Sequence, residues 1–313
     1  MTSLTHSAPE PNANLPPCDS IQACLVHTRG VLANAGVESP EQEASLLLQY
    51  VTGQSLTHLF CQLQRPPAVS EKTTLERLLS RRLGREPLQY IVSCATFYGR
   101  DFYVDSRVLV PRPETELLVH QFAELAGELP RNGERLRVIE VGTGSGALAI
   151  TLACESPGLE VTATDASREA LQVAAANCAR HGVRERVPLV QGDLLSGFRR
   201  GFAAVVANLP YVPSAAFDGL SPEVREHEPR AALDGGPDGL REIRRVIVQA
   251  LEALAGNGWL LLEVGAGQSG SVETLMRQAG RWSNVKTVYD LAGVGRVVLG
   301  KRMGIGSQPY SVQ

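Results

Sequence analysis

Apolar side chains in the first part of the chain recur at helical spacing. Ile21, Leu25 and Leu32 fall on one face of a helix with 3.6 residues per turn, and similar stripes follow up to residue 90. This pattern predicts a small helical domain over residues 19–90. The preceding residues, 1–18, are rich in Pro, Asn, Ser and Thr, a composition typical of a disordered tail.

The period changes to that of β-strands after the helical region. Thr96–Tyr98 and Asp101–Val104 contain strand-forming aromatic residues and lie on either side of Gly99 and Arg100. Two short strands around a pair that contains glycine predict a β-hairpin, with Gly99-Arg100 as its turn. We assign residues 91–110 to this hairpin and a linker.

Short apolar runs and amphipathic segments alternate between residues 111 and 303. Strands are predicted at residues 137–141, 160–164, 187–190, 203–207, 259–263, 285–289 and 296–299, with helices at 147–154, 168–181, 240–254 and 269–278. Such alternation is typical of an α/β fold, with helices on both faces of a mostly parallel sheet. Only a short segment separates the last two strands, so the last of the seven strands is predicted to be antiparallel. A second tail is expected at 304–313.

A glycine-rich turn follows the first strand of this sheet and opens a helix. It consists of Gly142, Thr143, Gly144, Ser145 and Gly146. Glycine lets the backbone turn tightly and approach a ligand closely, so the turn is a candidate cofactor site. Taken alone, the turn would equally suit a purely structural packing role.

Acidic residues near the ends of the next two strands favour the binding role. Asp165 ends the second predicted strand, where a carboxylate can accept hydrogen bonds from ribose hydroxyls. Asp193, followed by Leu194, comes after the third strand, where an acid can accept a hydrogen bond from the exocyclic amine of adenine. Taken alone, Asp165 is equally well explained as the N-cap of the next helix. With the glycine turn, these residues predict an adenosine-binding site.

The glycine spacing and Glu140 indicate which adenosine cofactor binds. The Gly-x-Gly-x-Gly pattern departs from the Gly-x-Gly-x-x-Gly pattern of dinucleotide sites. Glu140 lies two residues before the turn, where its carboxylate would repel a pyrophosphate and attract a cation. S-adenosylmethionine carries an ammonium and a sulfonium, so the sequence favours this methyl donor over NAD.

The fourth strand of the sheet ends in Asn208, Leu209, Pro210 and Tyr211. Ligands of open α/β sheets bind outside the carboxyl ends of the strands. The Asn208 side-chain oxygen and a nearby backbone carbonyl can accept both hydrogens of an amide nitrogen, and Tyr211 can lie against the flat group. Taken alone, the tetrapeptide suits a strand-ending turn. After the cofactor turn it predicts a catalytic and substrate-binding site, in which Asn208 also borders the cofactor.

Six motifs resemble those of the N5-glutamine methyltransferases that modify class 1 peptide chain release factors. They are Arg85–Tyr90, Phe97–Arg100, Pro111–Glu116, Gly142–Gly146, Asn208–Tyr211 and Glu228–Leu233. The resemblance implies a class I S-adenosylmethionine-dependent methyltransferase fold, Rossmann-like, joined to a helical domain that binds the substrate protein. It also implies methyl transfer to the side-chain amide nitrogen of the glutamine in the GGQ motif of a release factor.

Two alternatives stay open beside the release factors. A sister family methylates a glutamine of ribosomal protein L3, and its members resemble Pro111–Glu116 less closely. An adenine-N6 methyltransferase of nucleic acids would share the logic of Asn208–Tyr211, but no basic target-recognition region accompanies that motif. In the release factor family proline is usual where Leu209 stands. Leucine offers the same backbone carbonyl, and Pro210 still restricts residue 209 to extended geometry.

Several charged residues allow two interpretations. Arg112 and Glu114 lie in a proline-stiffened segment and either position cofactor or substrate, or belong to a rigid surface loop. Four arginines could contact a protein partner, namely Arg77, Arg81, Arg82 and Arg85. Because glutamates are interspersed among them, a solvated helix face is the favoured interpretation.

Composition and charge narrow the range of partners. The chain is 43% hydrophobic and 20% charged, and its net charge of -3 argues against non-specific coating of nucleic acid or of anionic membranes. The six cysteines and six histidines form no metal-type spacing, so no metal site is expected. The cysteines are expected to be free thiols. No apolar run is long enough to span a membrane. These features predict a soluble cytoplasmic protein without direct nucleic-acid binding.

Overall fold

The computed structural model of the chain describes residues 18–130, 136–199 and 201–304. The tails expected at 1–18 and 304–313 lie outside these ranges, apart from their innermost residues. The chain divides into two compact units. The first comprises Met1–Ser93 with Pro222–His227, and the second comprises Cys94–Ser221 with Glu228–Gln313. The segment 222–227, which the sequence pattern assigned to the catalytic region, thus groups with the helical one.

Helices occur in both units. In chain order they are α1 (Ile21–Asn34), α2 (Pro40–Thr52), α3 (Leu56–Cys61), α4 (Val69–Leu83), α5 (Leu88–Ile91), α6 (Glu116–Leu125), α7 (Ala147–Glu155), α8 (Arg168–Arg180), α9 (Pro222–His227), α10 (Arg241–Ala253) and α11 (Ser269–Gln278). Short 3-10 turns cover Pro113–Thr115, Ser214–Gly219 and Arg230–Ala232. Helices α1–α5 and α9 belong to the first unit, whose described residues contain no strand.

Strands occur only in the described residues of the second unit. They are β1 (Ala95–Phe97), β2 (Arg100–Phe102), β3 (Leu136–Val141), β4 (Leu159–Asp165), β5 (Leu189–Gln191), β6 (Phe202–Asn208), β7 (Leu254–Glu263), β8 (Trp282–Tyr289) and β9 (Gly295–Arg302). Strands β3–β9 form a seven-stranded sheet in the order β5-β4-β3-β6-β7-β9-β8. The first five of these pair in parallel, and β9 is antiparallel to both of its neighbours. The prediction of a mostly parallel sheet with an antiparallel last strand is confirmed.

The strand order reverses between β3 and β6. From β3 the chain proceeds outward through β4 and β5, and it then returns to place β6 on the other side of β3. The Cα register pairs Val141 at the end of β3 with Ala207 near the end of β6. Such a switch point opens a crevice beyond the carboxyl ends of the two strands. The glycine turn follows β3 and the Asn208 tetrapeptide closes β6, so both border this crevice.

Sequence patterning explains why these strands are central. Strand β6 is apolar from Phe202 to Ala207, and all six of these residues are buried. Parallel strands that are covered on both faces require such runs rather than an alternating pattern. Separate apolar cores lie on the two faces, one containing α6 and α7 residues such as Leu118 and Ile150, the other containing α10 residues such as Ile243.

The β1–β2 hairpin has a different turn from the predicted one. Phe97 pairs with Arg100, so Arg100 is the first residue of β2 and the turn consists of Tyr98 and Gly99. Their φ angles are 50° and 70°. Two positive φ angles define a type I′ turn, whose twist matches that of the strands. The turn shifts by one residue because this pairing buries both Phe97 and Phe102. Their rings pack edge to face, with the ring centroids 6.2 Å apart.

Within the first unit, the solvated face predicted for the α4 arginines is wrong at Arg82. Arg82 is only 4% exposed. Its Nε donates to Glu43 at 2.6 Å and its Nη1 donates to Glu223 of α9 at 3.0 Å. Arg85 also donates to Glu223, at 2.8 Å. A buried guanidinium is tolerated only when carboxylates surround it, and here they come from α2 and α9.

Candidate active site

The glycine turn adopts a backbone conformation that favours glycine. The φ angles of Gly142, Gly144 and Gly146 are 76°, 54° and 81°, all in the left-handed region. Gly146 is the N-cap of α7, and a Cβ built there would lie 3.0 Å from the Ile150 Cδ1 atom. A Cβ built on Gly144 would meet nothing within 4 Å, so that side of the turn is open. The turn is therefore tightly packed at Gly146 and accessible at Gly144.

Glu140 lies beneath this turn and is only 3% exposed. Its Oε2 accepts hydrogen bonds from Thr143 Oγ1 at 2.5 Å and from the Ala149 backbone N–H at 3.1 Å. Burial raises the pKa of this carboxyl to about 8. In the structure Glu140 thus joins the turn to the first residues of α7. Its predicted attraction for a cationic ligand group stays a prediction.

Asp165 connects the end of β4 to the same turn. Its two carboxylate oxygens accept hydrogen bonds from the backbone N–H groups of Gly144 at 2.9 Å and Ser167 at 2.8 Å. The N-cap of α8 is Ser167, whose hydroxyl accepts from Ala170 N–H, so Asp165 is not that cap. A carboxylate has about four acceptor positions, so acceptor capacity remains here for other donors. Burial raises the pKa of Asp165 above its usual range.

Asp193 is placed differently from the two buried acids. Its carboxylate is 61% exposed and forms an ion pair with Arg245 Nη2 at 2.5 Å. The next residue, Leu194, has a φ angle of 51° and packs against the apolar core that contains α10. To contact adenine, the Asp193 carboxylate would have to release Arg245, or accept from adenine while it stays paired with Arg245. The adenine role of Asp193 and Leu194 stays a prediction.

Asn208 presents its side chain at the carboxyl end of β6 and is held by a hydrogen bond. Its Nδ2 donates to Thr115 Oγ1 at 3.0 Å. The Thr115 hydroxyl in turn donates to Glu263 Oε2 at 2.6 Å. Within the described ranges, no donor of the protein contacts Asn208 Oδ1 or the Leu209 carbonyl oxygen. Both oxygens predicted to receive an amide therefore remain available as acceptors.

The tetrapeptide and the glycine turn lie close together. A Cβ built on Gly142 would lie 3.4 Å from Leu209 Cδ2 and 3.5 Å from the Asn208 backbone oxygen. Leu209 itself is 3% exposed, with its side chain in the core. Tyr211 is half-buried, and its hydroxyl lies 3.5 Å from Glu263 Oε1. Burial, and next the nearby Glu263 carboxylate, raise the pKa of Tyr211 to about 12.

Three glycines and a glutamine pack closely around the backbone of Pro210 and Tyr211. A Cβ on Gly235 would lie 2.6 Å from the Pro210 carbonyl oxygen, and one on Gly239 would lie 2.2 Å from the Tyr211 carbonyl oxygen. Gln268 donates its Nε2 hydrogen to that Tyr211 oxygen at 2.8 Å and accepts from Gly265 N–H at 2.9 Å. The absence of side chains at these glycines lets the backbone close tightly around Pro210 and Tyr211.

Arg112 and Glu114 have separate surroundings. Arg112 Nη2 donates to Glu228 Oε1 at 2.6 Å, and the Glu228 side chain is only 2% exposed. This ion pair connects the proline-stiffened segment to the segment that follows α9. Glu114 is 42% exposed and lies 3.9 Å from Arg296 Nη2. Neither contacts the glycine turn through a described hydrogen bond, and their roles toward substrate stay predictions.

Glu263 and Gln268 were not singled out from the sequence, and Thr115 and Glu228 were given no role in the site beyond their places in the motifs Pro111–Glu116 and Glu228–Leu233. Glu263 ends β7, and the sheet register places it directly beside Asn208. The reasoning that selected Asp165, an acid at the end of a buried strand, would have selected Glu263 as well. Thr115 and Gln268 carry no such signal, because their partners lie 93 and 57 residues away along the chain.

The part of the chain that the structure describes contains neither a metal-binding cluster of side chains nor a membrane-spanning helix. No group of three or more histidine, cysteine or acidic side chains there could hold a metal ion. None of the described helices is long and apolar enough to cross a membrane. All six cysteines are free thiols, and Cys18, Cys24 and Cys178 are buried.

The fold and the crevice define a methyltransferase with a seven-stranded sheet. Residues 23–92 match the model of the PrmC N-terminal domain, and residues 114–219 match that of the methyltransferase small domain. The catalytic domain of hMettl16, a solved structure, aligns with a TM-score of 0.53 over 79% of this chain and 96% of that one. Its 14% sequence identity supports the fold alone.

Sequence relatives identify the family. The release factor glutamine methyltransferase of Koribacter versatilis is 41% identical over 273 residues, which cover 87% of this chain and 94% of the relative. That of Geobacter sulfurreducens is 39% identical over 284 residues, covering 90% of this chain and 96% of the relative. The chain belongs to the family of release factor glutamine methyltransferases, which confirms the resemblance seen in the sequence motifs.

Proposed function

We propose that this protein transfers a methyl group from S-adenosylmethionine to the side-chain amide nitrogen of a glutamine in class 1 peptide chain release factors. The observation that carries the proposal is the close approach of the Asn208-Leu209 segment to Gly142. It brings the candidate cofactor turn against the candidate acceptor motif at the switch point of the sheet. A methyl donor on one side and a planar nitrogen on the other would thus meet in a single crevice.

The cofactor half of the site suits an adenosine with a cationic amino-acid portion. Room for a ligand exists above Gly144, where an added Cβ meets nothing. Asp165 would accept from the ribose hydroxyls with its remaining acceptor capacity, and Glu140, in its ionised form, would attract the ammonium group. When bound, S-adenosylmethionine supplies an electrophilic methyl group on its sulfonium. Asp193 and Leu194 would border the adenine.

The acceptor half suits an amide nitrogen. The lone pair of an amide is delocalised into its carbonyl, so the nitrogen is a poor nucleophile until the protein holds it in position. Asn208 Oδ1 and the Leu209 carbonyl would each accept one of its hydrogens, which aligns the nitrogen and stabilises the positive charge that develops there. Tyr211 would cover the flat face and exclude water.

The choice of substrate rests on the relatives. The relatives from Koribacter versatilis and Geobacter sulfurreducens match over nearly their whole lengths and are named for release factors. The PrmC N-terminal domain match covers residues 23–92, most of the first unit. We assign recognition of the substrate protein to this helical unit and chemistry to the second. Arg112, whose guanidinium pairs with Glu228, would hold the segment after α9 near the entering substrate loop.

A methylation assay tests the proposal. The full chain is incubated with isotopically labelled S-adenosylmethionine and a class 1 release factor, and the modified residue is located by mass spectrometry. We expect one added methyl group on the glutamine side chain. Asn208→Ala should lower kcat by roughly 10²–10³, as the loss of one preorganised hydrogen bond does. Label on ribosomal protein L3 alone, or an unchanged rate in Asn208→Ala, would contradict the proposal.

A further inference from the structure

Asn208 can perform its proposed task in only one orientation of its side-chain amide. With Nδ2 toward Thr115, Oδ1 faces away and can accept from the substrate. With the amide rotated by 180°, Nδ2 would face the substrate nitrogen, and two donors would oppose each other. The two orientations have nearly the same shape, so packing alone does not select between them.

The hydrogen bonds behind Asn208 do select one. An ionised carboxylate only accepts hydrogen bonds, so the Thr115 hydroxyl must donate its single hydrogen to Glu263, at 2.6 Å. The remaining lone pairs of that hydroxyl can then only accept, and they accept from Asn208 Nδ2 at 3.0 Å. Thr115 and Glu263 are 7% and 1% exposed, which leaves little access for water to substitute for either partner.

We propose that Glu263 and Thr115 act as a positioning relay that orients the Asn208 amide so that Oδ1 faces the acceptor nitrogen. This inference rests on the proposed function, because it assigns the relay to the same methyl transfer. Neither residue touches the reacting atoms, so both are positioning residues. Only an ionised Glu263 can orient the relay. Once protonated, Glu263 can donate to Thr115, whose hydroxyl is then free to donate to Oδ1 of a rotated Asn208.

The surroundings of Glu263 place the change between its ionised and protonated forms near neutral pH. Burial raises the pKa of Glu263 to about 7. The Thr115 hydrogen bond, Arg296 and the Tyr211 hydroxyl favour its ionised form, whereas the charge of Glu114 opposes it. The relay should therefore be oriented above pH 7 and should lose its direction as the pH falls through this value.

Paired variants of Thr115 test the relay in the full chain. Thr115→Val keeps the shape but removes the hydroxyl, and Thr115→Ser keeps the hydroxyl. We expect kcat to fall about tenfold or more in Thr115→Val, since small misplacements of reacting groups can cost this much. Thr115→Ser should keep most of the activity. The control is Thr151→Val, because Thr151 lies in the same unit as Thr115, is 0% exposed, and has a hydroxyl with no hydrogen-bond partner among the described residues.

A pH profile provides a second test that does not depend on how well Thr115→Val folds. With saturating cofactor and substrate, kcat of the wild type should rise with pH and level off above about 7, and Glu263→Gln should lack this acidic limb. A wild-type rate in Thr115→Val, or an acidic limb retained by Glu263→Gln, would overturn the relay. If these results occur while Asn208→Ala still lowers kcat by roughly 10²–10³, the proposed function stands without the relay. If the wild type itself transfers no methyl group to a release factor, the proposed function fails.

Discussion

The close packing behind Tyr211 makes a quantitative prediction for Gly239→Ala. The new Cβ would lie 2.2 Å from the Tyr211 carbonyl oxygen and 2.5 Å from Gln268 Nε2, at a φ angle of 75°. Relief of this overlap has to move backbone, because the nearest atom is a carbonyl oxygen. The shift should displace Tyr211 and break its hydrogen bond with Gln268.

The expected cost follows from these contacts. A side chain at positive φ costs about 1–2 kcal/mol. Overpacking adds about 1–3 kcal/mol, and the lost hydrogen bond about 0.5–1.5 kcal/mol. Gly267→Ala is a matched control, because Gly267 has a φ angle of 81° but its added Cβ meets nothing within 4 Å. Gly239→Ala should therefore lower the free energy of unfolding by roughly 2–4 kcal/mol more than Gly267→Ala does.

Urea unfolding followed by tryptophan fluorescence measures this difference. The two tryptophans of the chain, Trp259 and Trp282, both lie in the second unit, so the signal reports on the unit that carries the substitutions. The methylation rate should fall in parallel, since Tyr211 moves together with Asn208. Equal unfolding midpoints for Gly239→Ala and Gly267→Ala, with a wild-type methylation rate in both, would refute the packing argument.

Two further predictions concern the acids beneath the cofactor turn. The pKa of Glu140 is about 8 in the folded protein, against an ordinary value of 4.5. The folded protein therefore holds this proton more tightly than the unfolded chain does. The stability that the proton contributes is fully present below about pH 4.5 and is lost as the pH rises to 8. Urea unfolding at several pH values should show a slope of up to ~1.4 kcal/mol per pH unit from this proton, which Glu140→Gln removes; a slope unchanged in Glu140→Gln would exclude it as the source. Asp165→Asn should weaken S-adenosylmethionine binding about tenfold by calorimetry, because the hydrogen bonds to the ribose lose their charge assistance. An unchanged Kd would remove Asp165 from the cofactor site.

Much of the fold was predictable because local patterns encode it. The unbroken apolar run of Ala203 to Ala207 identified a central parallel strand, and the helical spacing of Ile21, Leu25 and Leu32 identified the first helix. Both patterns depend only on residues that are near neighbours in the chain. The hairpin turn was misplaced by one residue, because the burial of Phe102 against Phe97 and the core decides the register.

The sequence by itself determined which residues lie at the crevice. Carboxyl ends of parallel strands meet at one edge, so the glycine turn after β3 and Asn208 after β6 had to approach each other once the strand order was known. The family motifs then indicated what chemistry the crevice serves. The first inference needs the order of the strands in the sheet, and the second needs only the motifs themselves.

Only the tertiary structure decided what surrounds and orients those residues. The hydrogen bond between Thr115 and Glu263 joins positions 148 residues apart, and the Gln268 contact with Tyr211 joins positions 57 apart. The two carboxylates that pair with Arg82 come from two separate stretches of chain, α2 and α9. Side-chain hydrogen bonds of this kind leave no periodic trace in a sequence, because they depend on distances that exist only after the sheet and its helices have packed.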